Sequence, residues 1–269
     1  MAETRFLLLR ALLALGLATA LAALALWRRA LTRGGLLLAW LCAVVIAFCG
    51  GLTGFFALAA TFVFTILADR LGGKTARAVG AALHEKTGRR DAAEIACNVL
   101  TGAVMLLLRE LTGRDCFLWA YAGAMAASLA DSTASGLGVR SAAPPRDILT
   151  LRPAVKGLSG GVTLLGLGAS LLGALIVAAI CAAGWGLGPG ALGAFTLAGF
   201  LGALFDSVLG SAAQAKYRCP SCGALTEKSL HCGVPGTVER GLPRFSNDLV
   251  NLCNNLFGAA AALGLYELI

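Results

Sequence analysis

Apolar residues run along this chain in stretches of bilayer length, separated by short turns and a few long basic loops. Eight stretches stand out, at 6–27, 35–50, 52–68, 92–108, 116–134, 159–183, 190–213 and 247–268. A helix needs about 20 predominantly apolar residues to cross the hydrocarbon core. The pattern therefore predicts an all-α polytopic transmembrane bundle of about eight spans. The second and third stretches are short and share Gly50-Gly51-Leu52-Thr53-Gly54, so they read as a hairpin or as one broken helix. The first stretch carries Arg5 and Arg10 and ends in alanine-rich sequence, as a secretory leader does. Arg28 and Arg29 follow it directly with no small-residue cleavage site, so it is read as a membrane helix. The whole chain, 1–269, reads as one integral membrane domain, with 214–246 a cysteine-bearing loop inside it.

Composition removes the competing classes. Hydrophobic residues make up 58% of the 269 positions and charged residues 13%, with a mean hydropathy of +0.81. An average soluble domain is about 25% charged, so a soluble enzyme is excluded. Disorder is excluded too, because the polar bias that prevents core formation is missing. The 35 glycines suit close helix packing in lipid.

The net charge of +8 is unevenly spread. Eighteen of the 22 basic residues fall in alternate connections: 27–35, 69–91, 138–158 and 214–246. The intervening connections hold only Arg109 and Arg114, and 184–189 holds no charge. By the positive-inside rule the rich side is cytoplasmic, which predicts a multi-pass protein of the cell membrane with both termini outside.

Ionisable and amide side chains at membrane ends are the informative ones, because burying them is costly and needs a reason. Five groups qualify: 88–98, 131–138, 156–163, 206–211 and 246–251. All five fall at span ends on the basic side. Asp91, Glu94 and Asn98 are spaced for one helical face, as are Asp248, Asn251 and Asn255. Carboxylates converging beside cationic loops fit a Mg²⁺–nucleotide or Mg²⁺–phosphate site, since magnesium takes oxygen ligands from one or two carboxylates plus phosphate. Asp131, Asp206 and Asp248 are the expected magnesium or base residues. Ser159-Gly160-Gly161-Val162-Thr163, just after Lys156, reads as a glycine-rich helix start able to cradle nucleotide phosphates. Arg89 and Arg90 are expected to hold an acceptor phosphate, with Asn98, Asn247 and Asn251 nearby. Structural readings stand beside these: small residues as packing contacts, and Asn254 and Asn255 as interhelical hydrogen-bonders.

Six of the nine cysteines lie in apolar stretches, where cysteine acts as a small hydrophobe. Cys219, Cys222 and Cys232 cluster in the last basic loop beside His231, a spacing open to zinc or to reduced free thiols.

At the five polar groups the chain resembles an integral-membrane family long classed as a domain of unknown function, which includes plant phytyl-phosphate kinase and an uncharacterised animal transmembrane protein. The resemblance runs from about Gly35 to the end. Two positions depart from it: Gly136 stands where an acidic residue is expected, and Glu94 where an amide is expected. The resemblance implies phosphorylation of an isoprenyl monophosphate to the diphosphate, from CTP or a similar nucleotide. The expected partners are thus a membrane lipid substrate and a nucleotide, with no nucleic acid and no protein partner implied. A nucleotidyltransferase making a CDP-type lipid would use the same groups. An anionic-metabolite transporter would instead gather its polar groups near the bilayer midplane.

Overall fold

The computed structural model describes residues 2–86 and 88–269, with side chains from Thr4 onward. Among these residues six helical runs are long and apolar enough to cross a membrane. They are α1 (Ala2–Trp27), α2 (Arg33–Leu83), the composite of α3 (Ala92–Ile95) and α4 (Thr101–Thr112), α6 (Leu164–Gly184), α7 (Pro189–Ala212) and α8 (Asn247–Tyr266). A seventh helix, α5 (Cys116–Gly138), occupies the centre of the bundle.

Helix α2 settles the ambiguous second and third stretches. Gly51 has φ +62°, a left-handed conformation that breaks the helix. Beyond it the chain reverses, so that Gly54 packs on the Ile46 carbonyl, and residues 58–65 line the same crevice as 39–43. The stretches are a tight helical hairpin. A second break at Gly73 (φ +66°) turns the final part, 74–83, onto the basic loops. Counting both arms of α2, eight helical arms span the described bundle. Helices α3 and α4 are joined by a π-helical turn, Ala96–Leu100.

Helix α5 packs against α2, α4, α6, α7 and α8. Its alanine- and glycine-rich sequence lets neighbours approach at backbone distance. A Cβ on Gly123 would collide with the Gly258 carbonyl of α8, and one on Gly199 of α7 with Ala126. Close approach of this kind is how helices associate in lipid, where burial of apolar surface gives little gain. Large apolar side chains face outward on α1, α2, α6 and α8, where they meet lipid.

The connections sort onto two faces. On one, Thr32 N donates to Arg90 O (3.0 Å) and Arg90 N to Ala30 O (2.9 Å). His84 Nε2 lies 3.1 Å from Gly157 O, and Glu227 N donates to Leu83 O (2.9 Å). These contacts join all four basic connections, so the basic loops share one face as the charge pattern requires. The far face is compact. Arg10 pairs with Glu110 (2.8 Å), and Trp119 stacks edge-on against Phe195 (4.9 Å) and Tyr266 (5.3 Å). The buried Tyr121 hydroxyl donates to Gly54 O (2.6 Å). These aromatics plug the far half of the bundle.

The basic face carries short antiparallel strands. In the 139–163 connection, β1 (Arg146–Asp147) pairs with β2 (Gly161–Val162). In the last loop β3 (Lys216–Arg218) lies between β4 (Leu225–Thr226) and β7 (Thr237–Arg240), and β5 (Leu230–His231) pairs with β6 (Val234–Pro235).

Candidate functional site

The span ends and loops of the basic face enclose a cavity of about 440 Å³. Its wall includes Asp131 and Ser135 from α5, Asp206 from α7, and Asn247, Asp248 and Asn251 from α8. Glu94 and Asn98 join them from the start of the fourth span, and Asp69 from the second arm of α2. Loop residues Lys86, Arg90, Lys156 and Ser159–Thr163 complete the rim with Tyr217, Glu227 and Arg244. Thus nearly every expected site residue meets in one place. Arg89 is the exception: it is exposed and outside the wall, whereas Arg90 lines it.

Asp131 from α5 and Asp206 from α7 lie as neighbours on the cavity wall. Neither makes an ion pair among the described residues. Two carboxylates so placed repel when both are ionised, and require a shared proton or a cation. Three buried polar atoms in this wall lack a hydrogen-bond partner: Asp206 Oδ1, Ser170 Oγ and Gln214 Oε1. Orphaned polar atoms are rare in folded proteins, and here they border one cavity.

Arg90 owes its position to backbone. Its N–H and C=O both bond the 28–33 connection, and Gly35 packs on its carbonyl too closely for a Cβ. The side chain reaches the cavity, with Asp69 Oδ2 at 3.6 Å. Asp91 follows as the N-cap of α3, in a capping box with Glu94. This corrects the expected Asp91–Glu94–Asn98 face, since capping turns Asp91 out of the helix. Its carboxylate meets Lys86 at 2.8 Å, and the same ammonium meets Asp248 at 2.6 Å. Burial alone would lower the Lys86 ammonium, but Asp248 and Asp91 hold it well above its usual range. The Lys86 bond, with backbone donors of α3 behind it, pulls Asp91 below the usual carboxylate range. Asp248, expected beside Asp131 and Asp206, is therefore already partnered.

The glycine-rich stretch differs from its expected form. Helix α6 begins at Leu164, with Thr163 as N-cap accepting from Gly166 N (3.0 Å), so Ser159–Val162 precede the helix. Ser159 N donates to Glu227 Oε1 (2.8 Å) and Ser159 O accepts from Lys216 Nζ (2.8 Å). Gly160, at φ +89°, packs so tightly on Ser211 of α7 that no side chain fits. The stretch is a strap held to α7 and the last loop, and its Ser159 N–H is not free for phosphate. Lys156 donates to Ser141 O (2.8 Å) and still lines the cavity.

Several wall residues went unread in the sequence. Asp69 meets the same criterion as Asp131, an ionisable residue at a span end on the basic face. Lys86 is, in the sequence, one basic residue of the 69–91 connection. Buried Glu227 and Lys216 carry no local signal, because their partners are distant in sequence. Burial, then nearby Arg240, lowers the Lys216 ammonium, against Glu227 and Asp147. Asp147 accepts from Ser211 Oγ (2.7 Å) and Thr150, which outweigh desolvation and lower its carboxyl to about 2. Asn254 and Asn255 are buried and donate to Ala127 O (3.4 Å) and Cys97 O (3.0 Å), the interhelical role.

Comparison with known proteins now bears on this geometry. The profile of the family described as integral membrane protein DUF92 matches residues 16–259. The chain belongs to the DUF92 family. This DUF92 chain is also 28% identical over 244 residues to an uncharacterised membrane protein of Synechocystis sp., covering 88% of this chain and 83% of the other. No solved structure matches it. Membership establishes an integral, multi-pass membrane protein and agrees with the helical bundle.

Proposed function

We propose that the chain is a membrane lipid-phosphate kinase that transfers the γ-phosphoryl group of a CTP-like nucleotide to a prenyl or polyprenyl monophosphate. The observation that carries this reading is the neighbouring Asp131–Asp206 pair with Asp206 Oδ1 unpartnered, in a polar cavity bordered by Arg90, Lys156 and Arg244. That donor set fits Mg²⁺, a hard cation held by one or two carboxylates and phosphate oxygens. Bound there, the ion would neutralise charge on the transferring phosphate.

A lipid acceptor is supported by a narrow apolar crevice, about 70 Å³, between α1 and the two arms of α2. Leu21, Ala25, Leu31 and Phe62 line it, and it shares Arg90, Glu94 and Asn98 with the polar cavity. A prenyl chain lying in this crevice from the membrane would bring its phosphate to Arg90. Lys156 and Arg244 are suited to the nucleotide phosphates. An acceptor phosphate oxygen then attacks the γ-phosphorus in line. The bond to the β,γ-bridging oxygen breaks, and a nucleoside diphosphate leaves with that electron pair. Such transfer needs positioning and charge stabilisation more than covalent help from the protein.

The test is radiolabel transfer by purified protein, with prenyl monophosphates of graded length and each nucleoside triphosphate. Prenyl diphosphate with released nucleoside diphosphate supports the kinase. Pyrophosphate release with a nucleotide-linked lipid would replace it by nucleotidyl transfer, and no product with any pair would reject both. We further propose that the basic face is cytoplasmic, in the cell membrane. In intact cells an impermeant maleimide should then label Gly186→Cys and spare Arg152→Cys. The reverse pattern would invert the topology.

A further inference from the structure

The sulfur and nitrogen atoms of Cys219, Cys222, His231 and Cys232 all lie within 4.8 Å of one another. Cys222 Sγ and Cys232 Sγ are 3.7 Å apart, and His231 Nδ1 lies 3.5 and 3.3 Å from them. On one tetrahedral zinc, with Zn–S about 2.3 Å and Zn–N about 2.0–2.1 Å, ligand sulfurs sit about 3.8 Å apart and sulfur to nitrogen about 3.5 Å. The observed spacings match both values. Adjacent ligands in sequence need a sharp turn, and Cys232 is held at φ +54°, a conformation rare for a residue with a side chain. Around Cys219 the chain folds as a knuckle: Gly223 N donates to Cys219 O (2.8 Å) and Cys219 N donates to Ala224 O (2.9 Å).

We propose that Cys219, Cys222, His231 and Cys232 hold a structural Zn²⁺ that keeps the 214–246 loop folded over the cavity. Three thiolates and one imidazole fill all four positions, which leaves none for substrate and marks the site as structural. The ion would join the end of β3 and the knuckle to β5. That unit grips the rest of the protein through neighbouring residues. Thr226 Oγ1 bonds Leu83 O (2.9 Å), Glu227 reaches Ser159 N, and Lys216 reaches Ser159 O. Loss of zinc should therefore free the strap as well as the loop. Three cysteine thiols and a histidine gathered this closely without metal would leave a disulfide as the rival, and that would join two sulfurs and leave the other two groups idle.

Full-length protein purified in detergent without chelator should contain about one zinc per chain. Cys219→Ser and Cys222→Ser should fall below about a tenth of that, while Cys253→Ser keeps it. Exchange with Co²⁺ should give the thiolate charge-transfer and visible bands of a tetrahedral site. Zinc removal should speed protease cutting within 214–246 at least about tenfold, with the helices intact. Zinc-free protein, with Cys222 and Cys232 reactive to alkylation or joined as a disulfide, would overturn the site. Bound zinc with unchanged cutting after its removal would overturn its role in holding the loop. None of these readouts depends on phosphoryl transfer.

Discussion

Asp91 and Asp248 share the Lys86 ammonium, whereas Asp131 and Asp206 make no ion pair among the described residues and Arg90 acts on Asp131 only from beyond ion-pair distance. Both pairs border the basic-face cavity or its rim. The first sits at the starts of α3 and α8, with the Asp91 side chain 40% exposed and its cation supplied by Lys86. The second lies between α5 and α7 on the cavity wall, where two carboxylates close together repel when both are ionised. A carboxylate pair finished by a lysine is a structural tie. Under the proposed reaction, the pair that makes no ion pair among the described residues is the one that would take the cation.

The largest expected effect separates the two pairs. Asp131→Asn or Asp206→Asn should lower kcat for phosphoryl transfer by about 100-fold or more, the scale of losing a metal clamp. The double variant should be little worse, because the pair acts as a unit. Asp91→Asn should stay within about threefold of the parent. Equal losses at Asp91 and Asp131 would break the comparison. Removing one charge of the Asp131–Asp206 pair should also raise the melting temperature in magnesium-free detergent, opposite in sign to its effect on rate.

A smaller effect should distinguish adjacent arginines. Arg90→Ala should raise KM for the prenyl phosphate about 10–100-fold, the loss of a charged hydrogen bond worth about 1.5–3 kcal/mol. Arg89→Ala, an exposed change, should leave KM unaltered. Matching shifts at both would place the acceptor phosphate outside the cavity. Smallest is the tie itself. Lys86→Met should cost less than about 1 kcal/mol, because its partners are partly solvated, read as a shift of one or two degrees in melting. Asp91 is held below its ordinary range in the folded protein. Its contribution is therefore present above about pH 4, its unfolded value, and is lost as pH falls below that. The parent should lose more stability than Lys86→Met on acidification.

The architecture was largely legible, because bilayer thickness writes itself into span length and loop charge. The hinge at Gly50-Gly51 was visible, but only the left-handed φ of Gly51 makes it a hairpin. The break at Gly73 was not visible, since it lies among basic loop residues with no change of hydropathy. Within the cavity, Asp131, Asp206 and Arg90 announced themselves as charges at span ends. Glu227 did not: its role comes from reaching Ser159 across 68 positions. The glycine-rich strap was misread for the same reason, since the contact that uses Gly160 is with Ser211 of α7. His231 escaped a firm assignment because neighbouring ligands look strained until the turn at Cys232 is known.

The aromatic plug formed by Trp119, Tyr121 and Phe195 has a bearing on traffic. The polar cavity is lined by span ends and loops of the basic face, and the aromatics pack the core at the opposite end of α5. A lipid substrate of the proposed reaction would return from the crevice to the leaflet it came from, chemically altered and not transposed. Under the proposed reaction, both phosphates of the product remain on the side that supplied the nucleotide. Carrying that head group across the bilayer would be the work of a separate flippase.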